Sequence, residues 1–289
     1  MQGLGSFGPN CRNGSKSNSG LVSTFFIFAL VLMSLSGCLS STDIDMKRAK
    51  KLLTDKKPTE AVALYEKISE KERSDPEAAL AALEAAKIYQ YDLKKFDAAI
   101  RSYRTVIAKS PDAALRREAQ SKVAALLFYD QQEFSAAVTE YSRMLLLQHS
   151  LEEEIEWRSR IAKAYYYLGN YFQAGIEVDR LLKISEGVDD EAIYQGYLLK
   201  ANILVGAREH EQAAKVLDSM MVQFAERARR DSIPLMLAVA YEEQRNFAKA
   251  IEVLTKVREY DPRKSFVDEK IRSLKERQSQ QPGARGFRK

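Results

Sequence analysis

Of the side chains that most readily act as nucleophiles or hold transition metals, this 289-residue sequence has two cysteines, Cys11 and Cys38, and two histidines, His149 and His210. Zinc needs such ligands in groups of three or four. No second His or Cys stands at ligand spacing from either histidine, and Gly-rich phosphate loops, a G-x-S-x-G elbow and an H-E-x-x-H helix are absent from the sequence. The acidic run Glu152, Glu153, Glu154 and Glu156 has the density of a catalytic carboxylate cluster. It also falls where a helix should begin, and an anionic side chain there gains about 0.3–1 kcal/mol from the helix dipole. These residues predict a non-enzyme with no cofactor and no metal.

Cys38 has a different setting. Residues 21–35, LVSTFFIFALVLMSL, form an uncharged apolar run with Arg12 and Lys16 before it and the small residues Ser36 and Gly37 after it. A basic start, apolar centre and small residues at a cut read as a secretory signal over residues 1–37. An uncleaved anchor helix over 21–39 is the alternative, since that run is nearly long enough to span a bilayer. Removal of the signal takes Cys11 with it, so the remaining chain could form no internal disulfide. Leu35-Ser36-Gly37-Cys38 resembles the bacterial lipobox. That resemblance implies cleavage before Cys38, diacylation of its thiol and often acylation of the new amine. Residues 38–42 would then be a short lipidated linker, its four residues after the cysteine reaching about 14 Å at most. Leu39 lacks the aspartate that retains enteric lipoproteins in the inner membrane, which favours the outer membrane and a periplasm-facing body.

The rest of the chain must position whatever the protein holds, and it does so by repetition. Ala61, Ala99, Ala137, Ala174, Ala213 and Ala250 recur every 37 to 39 residues, each between two larger side chains. Phe96 and Tyr103 flank Ala99, Phe134 and Tyr141 flank Ala137, and Tyr171 and Val178 flank Ala174. Pro58 with Tyr65, His210 with Leu217, and Phe247 with Leu254 take those places in the other units. A small residue where two antiparallel helices cross lets them approach, and large flanks fill the space beside it. Little of the sequence alternates with period two, so no sheet is expected.

The preceding helix of each unit is best read in Ile161, Ala162, Ala164, Tyr165, Tyr166, Leu168 and Gly169. This pattern resembles the tetratricopeptide repeat, in the longer-period form of bacterial envelope proteins. The fourth unit alone keeps the glycine; Lys94, Gln132, Arg208 and Arg245 occupy the corresponding turns, with an extra residue expected in the second and fifth units. The resemblance implies an all-α, right-handed superhelical solenoid of about six helix hairpins over residues 43–262. A capping helix over 263–276 is read from Ser265 and Asp268, a capping-box start, and from the stripe Val267, Ile271 and Leu274. Residues 277–289 are expected to be a disordered basic tail.

Net charge is formally +5. The signal carries two of those charges and the tail four, leaving a near-neutral body that predicts no nucleic-acid partner. The resemblance implies instead that the first helices line a concave face that holds an extended peptide or a partner's helix. Aligned by the repeat alanine, Tyr91, Tyr129 and Tyr166 share one position on that face, with Lys122, Lys163 and Asn202 nearby. The alternative is that these tyrosines cover seams between repeats. The whole chain is similar to repeat lipoproteins of the envelope, such as that of the outer-membrane barrel-assembly machinery, to pilotin lipoproteins and to Tol-Pal-associated repeat proteins. That similarity implies a scaffold for envelope proteins. A glycan-binding surface lipoprotein is the other class in view, against which stand the single tryptophan, Trp157, and the short loops.

Overall fold

A computed structural model describes residues 41–70 and 76–281. The expected signal, Cys38 and the last eight residues lie outside them. The described residues contain no strand and build an all-α solenoid of six stacked helix hairpins with a terminal capping helix. The hairpins pair α1 (Ser41–Thr54) with α2 (Pro58–Ser69), α3 (Pro76–Lys87) with α4 (Phe96–Lys109), and α5 (Ala113–Ala125) with α6 (Phe134–Met144). Next come α7 (Leu151–Tyr167) with α8 (Tyr171–Ser185), and α9 (Asp190–Gly206) with α10 (His210–Gln223). The sixth is α11 (Ala225–Arg230) and α12 (Ile233–Glu243) with α13 (Phe247–Tyr260), and α14 (Lys264–Ser279) closes the stack.

All six repeat alanines are fully buried. Their large neighbours Tyr65, Tyr103, Tyr141, Val178, Leu217 and Leu254 are buried with them, so each crossing is small at its centre and filled at its sides. Each hairpin reverses at a residue in the left-handed region: Lys56, Lys94, Gln132, Gly169, Arg208 and Arg245, with φ between 53° and 71°. Five of the six accept that conformation without glycine, at about 1–2 kcal/mol apiece.

Two hairpins depart from the regular turn. After α3 the chain widens over Ile88–Asp92, where the Leu93 N–H donates to the carbonyl of Ile88 at 3.0 Å. After α5 it widens over Leu126–Asp130, and the Gln131 N–H donates to Leu126 at 3.0 Å. The corresponding bonds span one residue less in α7 and α9, from Leu168 to Ala164 and from Ala207 to Ile203. The extra residue therefore sits in the second and third hairpins, and not in the second and fifth. In the sixth, α11 and α12 occupy the place of one first helix. Pro234 lies in the first turn of α12, where its ring excludes the carbonyl four residues earlier, and the chain breaks at Ser232 with φ 61°.

Hydroxyls tie neighbouring hairpins. Tyr89 donates to Glu66 and Tyr241 to Asp218, each at 2.7 Å and at the same repeat position. The stack's two ends differ from expectation. At the start, Ser41 and Thr42 are already helical and Thr42 is buried, with Asp43 in the first turn where an anion meets the dipole. The segment 38–42 is thus not all linker. At the far end α14 begins one residue before Ser265, Arg263 caps it without a side-chain bond, and Asp268 pairs with Arg258. The helix also continues past residue 276. Arg277 pairs with Glu242 and lies 4.8 Å from the Phe247 ring centroid, while Gln281 donates to the Arg245 carbonyl at 2.9 Å. The first residues of the expected tail are packed.

A capping box does occur, at the acidic run. Ser150 and Glu153 bond reciprocally to each other's backbone N–H, at 3.2 and 2.8 Å, and Glu152, Glu153 and Glu154 occupy the first turn of α7. Glu154 accepts from Arg158 at 2.7 Å. The run starts a helix.

Candidate partner-binding face

The wide turns decide which tyrosines reach solvent. An extra residue before the hairpin bend rotates the last turn of α3 and α5, and Tyr91 and Tyr129 emerge 53% and 51% exposed. Tyr91 stands beside the buried Tyr103, whose hydroxyl donates to Gln90 at 2.8 Å. Tyr129 meets Phe128 edge-on at 4.9 Å, and the Arg160 guanidinium of α7 lies 4.9 Å from its ring centroid. Burial raises the Tyr129 hydroxyl above its ordinary value, with Arg160 opposing the rise.

Arg160 anchors the centre of this face. It lies 3.8 Å from Glu156, one turn earlier on α7, and its Nε is buried without a hydrogen-bond partner. Lys163 is half-buried close by; desolvation lowers its ammonium below the usual lysine range, and the Arg160 charge lowers it further. Lys122 lines a shallow depression between α5 and α7 together with Glu118, Glu156 and Trp157. Among the described residues neither Lys122 nor Lys163 has a carboxylate partner. The structure therefore gathers Tyr129, Lys122 and Lys163 around Arg160 and Glu156. A face of this kind can pair half-buried cations with a ligand's carboxylates and cover its apolar side chains with tyrosine rings.

Tyr166 does not join them in the same way. It is half-buried, its ring 6.0 Å from Tyr171 and 5.6 Å from Tyr167, and it packs the α7–α8 hairpin. Because α7 lacks the extra residue, Tyr167 is the one that emerges, 57% exposed and stacked on Phe134 at 4.8 Å. Asn202 is half-buried one hairpin further along, at the register of Lys163. Lys122 corresponds to Arg160 once the wide turn is counted. Arg160 and Tyr167 escaped the sequence reading and Glu156 entered it only as part of the acidic run, since placing the extra residue in the third unit is what aligns them. Among the described residues no group of three His, Cys, Asp or Glu could hold a metal, and no helix is long and apolar enough to cross a membrane.

Residues 80–113 and 235–263 match the tetratricopeptide repeat family. Those stretches are the second and sixth hairpins. The chain resembles the crystal structure of the apo form of RapI, with 14% identity, a TM-score of 0.46, and coverage of 81% of this chain and 96% of that one. It also resembles PilW, described as a widely conserved type IV pilus biogenesis factor, with 17% identity, a TM-score of 0.46, and 81% and 98% covered. A tetratricopeptide repeat protein from Parabacteroides merdae shares 16% identity at a TM-score of 0.39, with 88% and 92% covered. At such identities the likeness is one of fold. No curated protein sequence matches the chain.

Proposed function

We propose that this chain is a scaffold anchored by lipid on Cys38 to the outer membrane, facing the periplasm, which binds other envelope proteins on its first-helix face during assembly of an envelope complex. The repeat architecture supports protein–protein interaction, and the Leu35-Ser36-Gly37-Cys38 sequence after an apolar run supports the anchor. The observation that carries the binding reading is the cluster at the third and fourth hairpins. An exposed Tyr129 lies over Arg160, whose Nε has no partner, beside the unpaired Lys163 and Lys122. Tyrosine offers a large rigid contact at low entropic cost, and an unpaired half-buried cation gains most from a carboxylate supplied by a partner.

Photo-crosslinking in intact cells tests this. A benzophenone amino acid in place of Tyr129 should give discrete adducts with envelope proteins, and the same group in place of Phe172, which is 76% exposed, should not. Adducts from position 172 alone would place the binding surface elsewhere. The anchor is tested separately by labelled fatty acid, which the wild type should incorporate and Cys38→Ser should not.

A further inference from the structure

Every hairpin reverses at its left-handed residue on one edge of the solenoid and passes to the next hairpin on the other edge. Ser41 begins α1 at the end opposite Lys56, so the chain enters the stack on the edge of the inter-hairpin linkers. Cys38 stands three residues before it, at most about 10 Å away when extended. The linker between α6 and α7 lies on that same edge and carries the most exposed large aliphatic side chain of the described residues. Leu146 is 86% exposed, with Leu147 at 47% and Leu151 at 40% beside it. Among the described residues Leu146 is left almost bare and Leu147 and Leu151 are only half covered; Leu146 and Leu147 donate their backbone N–H groups to Arg143 and Met144, which closes a tight turn.

We infer that Leu146, Leu147 and Leu151 form a contact with the bilayer surface, on the edge from which the anchor emerges. The proposal rests on the anchor proposed above for Cys38, and the length of chain outside the described residues identifies lipid as the occupant. Tethered within about 10 Å of Ser41, at the first hairpin's end of that edge, the bilayer is an apolar phase on the side where these leucines are exposed. Leucines that enter the headgroup boundary by 5–10 Å, as surface-lying segments do, leave water without crossing the membrane. Surrounding charge narrows the lipid. Arg143 pairs with Glu140 at 3.2 Å, Glu154 with Arg158 at 2.7 Å and, more loosely, with His149, and Glu153 lies 4.0 Å from Arg117. With its charges paired among themselves the linker has no basic field, so a zwitterionic bilayer suffices and salt changes the contact little.

Tryptophan quenching by brominated phosphatidylcholine tests the assignment on the full chain. Leu146→Trp and Phe172→Trp report the two edges, both side chains being too exposed to disturb the core, while buried Trp157 gives each variant the same background. In phosphatidylcholine vesicles the Leu146→Trp protein should lose at least twice the fluorescence lost by Phe172→Trp, with and without high salt. Equal quenching in the two variants overturns the proposal. The mass of the N-terminal peptide separates the two readings. If Cys38 carries lipid and Leu146→Trp stays unquenched, the contact is wrong and the anchor stands. If Cys38 carries none, the protein is added to preformed vesicles. Quenching then upholds the contact without the anchor, and its absence overturns it.

Discussion

Tyr129 and Tyr166 occupy the same place when counted back from Ala137 and Ala174, yet one faces solvent over Arg160 and the other packs against Tyr171. One residue of backbone separates them. Truncation should therefore divide function from stability. Tyr129→Ala removes a half-exposed ring with few core neighbours and should leave the melting temperature near that of wild type while weakening partner capture. Tyr166→Ala opens the α7–α8 packing and should cost about 1–3 kcal/mol, read as a midpoint several degrees lower with capture retained in the folded protein. Equal loss of stability in both variants would mean that Tyr129 is a seam residue. At this scale the sequence was partly legible. Residue types on the first helices announced a tyrosine and lysine face, and the register of each hairpin's second helix followed from the alanines. Arg160 and Tyr167 were hidden because counting through a wide turn shifts every first-helix position by one.

The alanine is the element that sets each hairpin, since it is fully buried between large neighbours in all six. Ala137→Leu or Ala174→Leu should overpack the crossing at about 1–3 kcal/mol. The loss should reach the adjoining hairpins, because a solenoid's stability passes through nearest-neighbour interfaces. Thermal melts and hydrogen exchange of the two variants check this, and unchanged midpoints with unchanged exchange would show that the crossings tolerate bulk. Helix existence and pairing were legible because the repeat fixes size at a recurring position, and size is what residue identity conveys directly. Of the two wide turns, the spacing showed the one in the second unit but put the other in the fifth unit instead of the third. An i→i+5 bond leaves no compositional mark, and Lys94 and Gln132 tolerate the left-handed bend that follows without advertising it. Nor was the break within the sixth unit's first helix visible from spacing, because α11, the bend at Ser232 and α12 together fill the length of an ordinary first helix.

Across the whole molecule, stability rests on contacts between successive hairpins, and several of those contacts titrate. Arg227 of α11 pairs with Glu191 of α9, donates from Nε to Asp231 at 3.5 Å, and lies 3.6 Å from the Tyr194 ring centroid. Hydrogen bonding from Arg227 pulls the Glu191 carboxyl from its ordinary 4.5 to about 2. A depressed carboxylate stabilises the fold above its unfolded value and loses that contribution as pH falls toward the folded one. Acid between about pH 4.5 and 2 should therefore loosen the α9–α11 seam. Because Glu191 is exposed, the effect should be small and salt-sensitive. Tyr89 and Tyr241 act at the other extreme. Burial first, and then their bonds to Glu66 and Asp218, push both hydroxyls from 10 up to about 12. A raised acid stabilises below its unfolded value and ceases to do so as pH rises through the folded one, so the seams between hairpins one and two and between five and six should weaken between about pH 10 and 12. Melting midpoints followed across pH separate the two ends. Glu191→Gln should make the acid limb somewhat shallower and leave the alkaline limb unchanged, and Tyr241→Phe should make the alkaline limb shallower and leave the acid limb unchanged. If Glu191→Gln keeps the full acid dependence, the charge holding α11 to the stack lies elsewhere, and Asp231 is the next carboxylate to replace.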